Sequence, residues 1–549
     1  MNVMMAYLGH SGLQTQAGAR VLNLEPNLAR ERVGLDAPLA RPIPFREAIS
    51  ALHDVVINDL RFKPRDKTAY EQWKKNQREL ENRIRREEVD RVKKEVLARR
   101  SQTVPPDIES QYRKNLKRYW KARRAYGSHL LKHDRDLWRK LMPYDPIITV
   151  ADDVVFFECF SADESSYGCL TVDREDTFGK SDAVELGTTN VDYSWTLYNH
   201  MQGLRTYRET RFRIDPEGFD VATDGRAEYR EEKIDLPDGW LHGFMQLQFA
   251  MGMATRRVEL DRAAVYSLLA WLKRHKARTS PRAIRFELLD GKSPRLVLEP
   301  WEQPIVSHGT VYQGPEMEAV RVWGRRRLLV LARVLPLADG IDVYLLGTGL
   351  PSFWVVRMGS MRLTLGLSGW TANDWTRGSA LDLLAAPQAP SSISIESAVQ
   401  FLRQRRSVTA AEMERHLQET PATTVAVLKH LAHTGQAIHD LDAGVFRWRQ
   451  VMPMALAEKD LVTPNPELAG AHEIVHKLRA KITAQQEAGE RVLVTGKVDN
   501  QECELLLDRD GMIRRGKCGC GYFFKNGIRR GPCRHLFALR HLAVWREGN

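Results

Sequence analysis

Long apolar runs are missing from this chain. No stretch approaches the ~20 consecutive apolar residues that a membrane-spanning helix needs. The amino terminus, MNVMMAYLGHSGLQTQ, lacks a charged start leading into an apolar core, so a secretory leader is not expected and the expected compartment is the cytoplasm. Cysteine is scarce, with six in 549 residues, and a cytosolic chain gives no reason for Cys159 and Cys169 to pair. Gly347-x-Gly349 is followed by no Lys-Ser/Thr, which excludes a Walker A phosphate loop there. A strong charge imbalance is also absent. Lys and Arg number 82 against 70 Asp and Glu, a net +12, and so modest an excess bears on association rather than on fold. A hydrophobic fraction of 43% is that of a soluble globular protein, and the length calls for several domains.

What is present concentrates near the carboxy terminus, in KCGCGYFFKNGIRRGPCRHLFALR. Cys518 and Cys520 stand one residue apart, and after a gap of twelve residues Cys533 and His535 repeat the spacing. Three thiolates and an imidazole suit tetrahedral Zn²⁺, with bonds near ~2.3 Å to sulfur and ~2.0 Å to nitrogen. Gly519 and Gly521 let the backbone fold tightly around an ion. Strand signals over 491–498 and 502–508, with a turn at Asp510-Gly511, place a hairpin before the motif, and a helix is expected from Arg534. Four protein ligands leave no open position, so one structural zinc is expected and no catalytic one. Cys503 alternates in phase with Leu505 and Leu507, which makes it a core residue.

The remaining chain divides by composition into an α+β multidomain protein. Residues 1–60 form a mixed segment whose clearest element is a helix over 45–60, with His53 on a helix face. Residues 61–146 read as a basic helical hairpin. Its second helix carries Arg113, Lys114, Lys117, Arg118, Lys121, Arg123 and Arg124 between aromatic residues, a mixture able to track phosphates and stack on bases. Residues 147–385 form a β-rich domain, with hairpins expected across Asp152-Asp153 and Asp339-Gly340 and a helix over 261–276.

After a linker at APQAPSS, residues 393–452 give three helices and a hairpin, the order of a winged helix-turn-helix. Thr409 with Glu412 makes a capping box, and Thr420 caps the third helix before Pro421. Residues expected to be exposed for contact are Thr423, Thr424, Lys429, His430 and His433, with Arg447 and Arg449 on the wing. A DNA-reading role and a protein-docking or spacer role both remain open for this unit, because the third helix has few groups that read bases. Residues 466–549 make a helix over 466–487 and the finger. That helix contains His472-Glu473-Ile474-Val475-His476, an H-E-x-x-H pattern. A zinc peptidase would need a third ligand, for which Glu487 and Glu490 are the nearest downstream residues. Packing against the hairpin through Ile474, Leu478 and Ile482 accounts for the helix more simply.

The C-x-C…C-x-H motif behind a hairpin resembles the SWIM zinc finger. Together with SGWTANDW and FREAISALHDVVINDLRFKPRDKTAY, the whole chain resembles the bacterial SWIM zinc-finger proteins of this length. Arg534 stands where lysine is common in that motif. SWIM domains elsewhere accompany helicase-type ATPases, Mutator-type transposases and ubiquitin-ligase kinases, where they are taken to bind DNA or proteins. The resemblance also implies MoxR-type AAA ATPases and von Willebrand A-domain proteins as partners, with this chain as an adaptor. Around the metal ligands lie Arg514, Arg515, Lys517, Lys525, Arg529, Arg530 and Arg534. Clustered by zinc, these cations would neutralise phosphates or dock an acidic protein. A non-enzymatic zinc protein that binds DNA is the leading expectation, with a protein adaptor as the alternative and the peptidase as a remote third.

Overall fold

The computed structural model describes residues 12–16, 19–23, 33–57, 118, 129, 146–180, 183–190, 195–215, 218–223, 229–232, 238–279, 281–315, 319–369, 375, 390–450, 466–488, 491–508, 513–527 and 532–546. The chain divides into two compact units, Met1–Asn58 with Pro143–Asn549, and Asp59–Met142. The expected basic helical hairpin falls almost wholly outside the described residues, as do the first four residues of the linker, 386–389. The larger unit mixes helices with several antiparallel sheets. No described helix is long and apolar enough to cross a membrane.

Its centre is an eight-stranded sheet in the order Arg256–Leu260, Gly340–Leu345, Ser352–Met358, Met361–Leu367, Ser166–Asp173, Val154–Phe160, Ile147–Val150 and Gly187–Asn190. Every residue of Val154–Phe160 is buried, so both faces of the sheet are covered. Strand alternation sorts the contacts. Phe157 and Cys159 meet the helix Pro42–Val56, where Phe45 packs its ring 5.8 Å from that of Phe157. Gly168 admits this helix because a side chain there would lie 2.9 Å from Leu52 Cδ1. On the opposite face, Phe160 meets Trp240 and Phe244 of the helix Asp238–Met251. Glu158 stands opposite Cys169 and Cys159 opposite Gly168, so the two cysteines point to opposite faces and cannot bond. Trp375, from the SGWTANDW run, is buried against Phe353.

Smaller sheets flank this core. One has five strands and includes Gly34–Pro38, whose Asp36 pairs with Arg211 and Arg213 of Thr210–Asp215. Another has four strands, built from 284–322. The hairpin across Asp152-Asp153 forms as the sequence implies. Across Asp339-Gly340 the expectation needs correction. Arg325–Arg333 is a 3-10 helix, and Gly340–Leu345 pairs instead with Arg256–Leu260 and Ser352–Met358.

Helices Ser392–Arg405, Ala410–Leu417 and Pro421–His433 are followed by the paired strands Ala437–Asp440 and Val445–Trp448. The Thr409–Glu412 capping box and the Thr420 cap are both formed. What the sequence did not foretell is where this unit sits. The third helix and the hairpin lie against the large sheet and Asp238–Met251. Arg449 Nη1 donates to Glu158 Oε2 at 2.9 Å with neither side chain exposed to solvent, and the Tyr167 hydroxyl donates to Oε1 at 2.7 Å. Arg447 pairs with Asp153 and Asp440, and Arg362 joins the same Asp440. The His439 amide donates to Gln248 Oε1, and the Lys429 stem lies on Gly252. Thr424, Arg447 and Arg449 are therefore buried, while Thr423, Lys429, His430 and His433 are only half-exposed. The surface expected to face a ligand is largely an internal joint.

Candidate metal centre

The last described unit is a four-stranded antiparallel sheet, Ala480–Ala488, Arg491–Val498, Gln501–Asp508 and Ile513–Cys518, covered by the helices Pro466–His476 and Arg534–Arg546. Here the expected long helix is corrected. It ends at His476, the chain passes through Leu478 with φ of 53°, and 480–488 is a strand. Ile474 is buried as expected and Ile482 is partly buried, but Leu478 is 89% exposed. The core joins Ala471, Ile474, Val494, Leu505 and Leu539 to the thiols of Cys503, Cys518 and Cys533. Gly496 lets the last helix close onto the sheet, since a side chain there would meet Leu539 Cδ1 and the Lys481 carbonyl.

Three elements bring the ligands together. Cys518 ends the edge strand, and Cys520 opens the short helix Gly521–Asn526, its sulfur accepting from the Phe523 amide at 3.4 Å. Cys533 precedes Arg534–Arg546, and His535 lies in that helix's first turn. Their ligand atoms all lie within 4.8 Å of one another, with Cys518 Sγ 3.7 Å from His535 Nδ1. Bond lengths of ~2.3 and ~2.0 Å in a tetrahedron put donor atoms roughly 3.5–3.8 Å apart, so a small contraction closes the cage. Cys518 and Cys533 are buried and the other two half-buried. The donor set fits zinc, and the four residues would hold it as a structural ion. In the metal-free protein the crowded thiols keep their protons. The Cys503 contact and burial push Cys518 up to about 12, and contact with Cys518 and burial do the same to Cys533. Metal uptake must therefore expel protons.

Two neighbours were not evident from spacing. Glu467 accepts from the Arg534 backbone amide at 2.8 Å and pairs with its guanidinium at 2.9 Å, tying the two helices together at the metal. The Arg534 hydrogen bond is the main reason that the Glu467 carboxyl lies below its ordinary range. Cys503 stands directly opposite Cys518 in the sheet, with its sulfur 3.6 Å away. Only strand register could have revealed that contact.

The expected cations separate into three groups. Arg514, Arg515, Lys517 and Lys525 are exposed. Arg534 is half-buried and engaged by Glu467. Arg529 and Arg530 lie outside the described residues. Lys517 faces Glu504 across the sheet, and Lys497 faces Glu502, so the outer face mixes charges. Phe524, beside Lys525, is 89% exposed.

In the H-E-x-x-H stretch, Glu473 is exposed and bound by Lys477 at 2.7 Å. Among the described residues, neither His472 nor His476 belongs to a group of three or more ligands close enough to share an ion. Glu487 is exposed on a strand, and Glu490 lies outside the described residues. His541, on the last helix, is buried. Burial first, then the charges of His472, Arg540 and His476, push it down to about 4 from 6.5. Stability from keeping it neutral is full above 6.5 and is lost as pH falls from there toward 4. Between pH 7 and 5 this amounts to about 2 kcal/mol. Urea unfolding of the carboxy-terminal unit should show His541→Leu losing correspondingly less over that interval. Equal losses in both proteins would contradict the assignment.

No protein-family model matches the chain, and no curated protein matches it. Among solved structures, proliferating cellular nuclear antigen (PCNA) from Entamoeba histolytica is similar at 12% identity over 41% of this chain and 89% of that one, with a TM-score of 0.31. A. fulgidus PCNA, bound to the C-terminal region of FEN-1, is similar at 12% identity over 42% and 91%, with a TM-score of 0.32. The PCNA2–PCNA3 complex from Sulfolobus tokodaii gives 8%, 41%, 90% and 0.32. Scores this low carry no inference about this chain.

Proposed function

We propose that this is a non-enzymatic, zinc-organised nucleic-acid-binding protein of the SWIM type. The observation that carries the reading is the placement of Arg514, Arg515, Lys517, Lys525 and the exposed Phe524. All sit on the strand and short helix that Cys518 and Cys520 join. Zinc at that joint would hold cations for phosphates and a ring for stacking on one rigid piece. The internal docking of the third helix and wing argues against base reading by that unit, so binding should show little sequence preference. A salt series on random duplex and single-stranded DNA tests this. Each phosphate contact contributes a slope of about −0.9 in log K against log salt on duplex, so Arg514→Ala/Arg515→Ala/Lys517→Ala should flatten it by up to ~3. No binding at low ionic strength would exclude the reading.

A second reading is a protein adaptor. It is favoured by the acids Glu502 and Glu504 opposite Lys497 and Lys517, which blunt a purely cationic surface. Here the resemblance to SWIM proteins supplies the partners, a MoxR-type ATPase or a von Willebrand A-domain protein. Capture of either from nuclease-treated lysate by the wild type and not by Cys533→Ala would support it.

A further inference from the structure

Cys503 touches the four-ligand set through Cys518 but does not belong to it. The register places Cys503 and Cys518 directly opposite on antiparallel strands. Such partners have Cα atoms ~4.5–5.5 Å apart, inside the ~4.4–6.8 Å that a disulfide spans. Their sulfurs already touch, at 3.6 Å, and no intervening group must move. Cys520 and Cys533 face the shared centre, whereas Cys503 approaches Cys518 from the sheet side. A ligand thiolate is the nucleophilic form of sulfur, and Cys503 is placed to resolve its oxidation product.

We propose that Cys503 and Cys518 form a peroxide-responsive pair whose disulfide withdraws Cys518 from the metal ligands. The proposal rests on the zinc reading above. Hydrogen peroxide is the oxidant. The Cys518 thiolate attacks it, an S–O bond forms, the O–O bond breaks and hydroxide leaves. The Cys503 sulfur then attacks the Cys518 sulfenic sulfur, the S–S bond forms, and the oxygen leaves as water after taking the Cys503 proton. Thiol, thiolate and peroxide become one disulfide, water and hydroxide, with two electrons passing to peroxide. A dithiol reductant reverses the change. Loss of one of four donors weakens the hold on the ion, so the surface carried by the edge strand and short helix loosens under oxidation.

The test uses the full chain as isolated with zinc, freed of reductant and treated with hydrogen peroxide. Zinc release is followed with a chromogenic chelator, and disulfides are mapped by mass spectrometry of unreduced peptides. The wild type should release its zinc as a Cys503–Cys518 cross-link appears, and dithiothreitol with added zinc should restore it. Cys503→Ala should hold the same zinc beforehand and release it several-fold more slowly. A cross-link confined to Cys518, Cys520 and Cys533, or equal release rates, would overturn the pair. So would a Cys503→Ala protein isolated without zinc, since Cys503 would then be a ligand. Should the wild type itself carry no zinc, the metal reading fails separately. Peroxide mapping of that protein still decides whether Cys503 and Cys518 couple.

Discussion

Stripping zinc with a chelator, or replacing Cys533 by serine, should unfold the unit from Pro466 to Arg546 while the eight-stranded sheet stays folded. The physical ground is the small core beneath the sheet and helices. Three of its buried members are cysteines, two of them ligands, and the two helices meet the sheet through residues as small as Ala471, Gly496 and Ala543. Structural zinc contributes an apparent ~10–16 kcal/mol in finger peptides, as much as the whole stability of a typical domain at ~5–15 kcal/mol. A unit with so little apolar burial should not survive that loss. Limited proteolysis with mass mapping reads the outcome. Cleavage should concentrate between 466 and 546 in the metal-free protein and subside when zinc is restored. Protection unchanged by chelation would show that the fold stands without metal.

The second large effect is expected at Arg449→Ala. Glu158 has no solvent exposure, and Arg449 is its charge partner. Removing one member of a buried pair costs ~3–5 kcal/mol because the other charge is left uncompensated. Glu158→Gln with Arg449→Met should recover most of the loss, since glutamine still accepts from the Tyr167 hydroxyl and methionine fills the space. Hydrogen exchange should place the loosening in Ala437–Asp440 and Val445–Trp448 rather than around the metal ligands. A loss in Arg449→Ala below about 1 kcal/mol, within the range of surface ion pairs, would mean that the hairpin is not anchored this way.

Much of this was legible locally. The caps at Thr409 and Thr420, the hairpins at 147–160 and 437–448 and the cluster of Cys518, Cys520, Cys533 and His535 follow from residues close in sequence, where each signal has a single physical reading. The failures share a different cause. The run RRRLLVLAR is short and apolar enough to serve as strand or helix, and only its neighbours decide. Residues 480–488, AKITAQQEA, favour a helix by composition but pair with Arg491–Val498, so tertiary pairing overrides propensity. Alternation correctly buried Cys503, yet what lies opposite it depends on a register that one strand does not encode. Likewise, the pattern of Pro421–His433 marks which face is polar, but not that Asp238–Met251 packs on it through Gly252 against Lys429 and Phe249 against His433.

The central claim is that one ion clamps the carboxy-terminal sheet and helices as a scaffold without turnover. Elemental analysis of the reduced chain of 549 residues tests it most directly, alongside a His472→Ala/His476→Ala variant. The account predicts one zinc per chain in both and loss of that zinc in Cys533→Ser. No bound transition metal, or a second zinc lost when the two histidines are replaced, would contradict it.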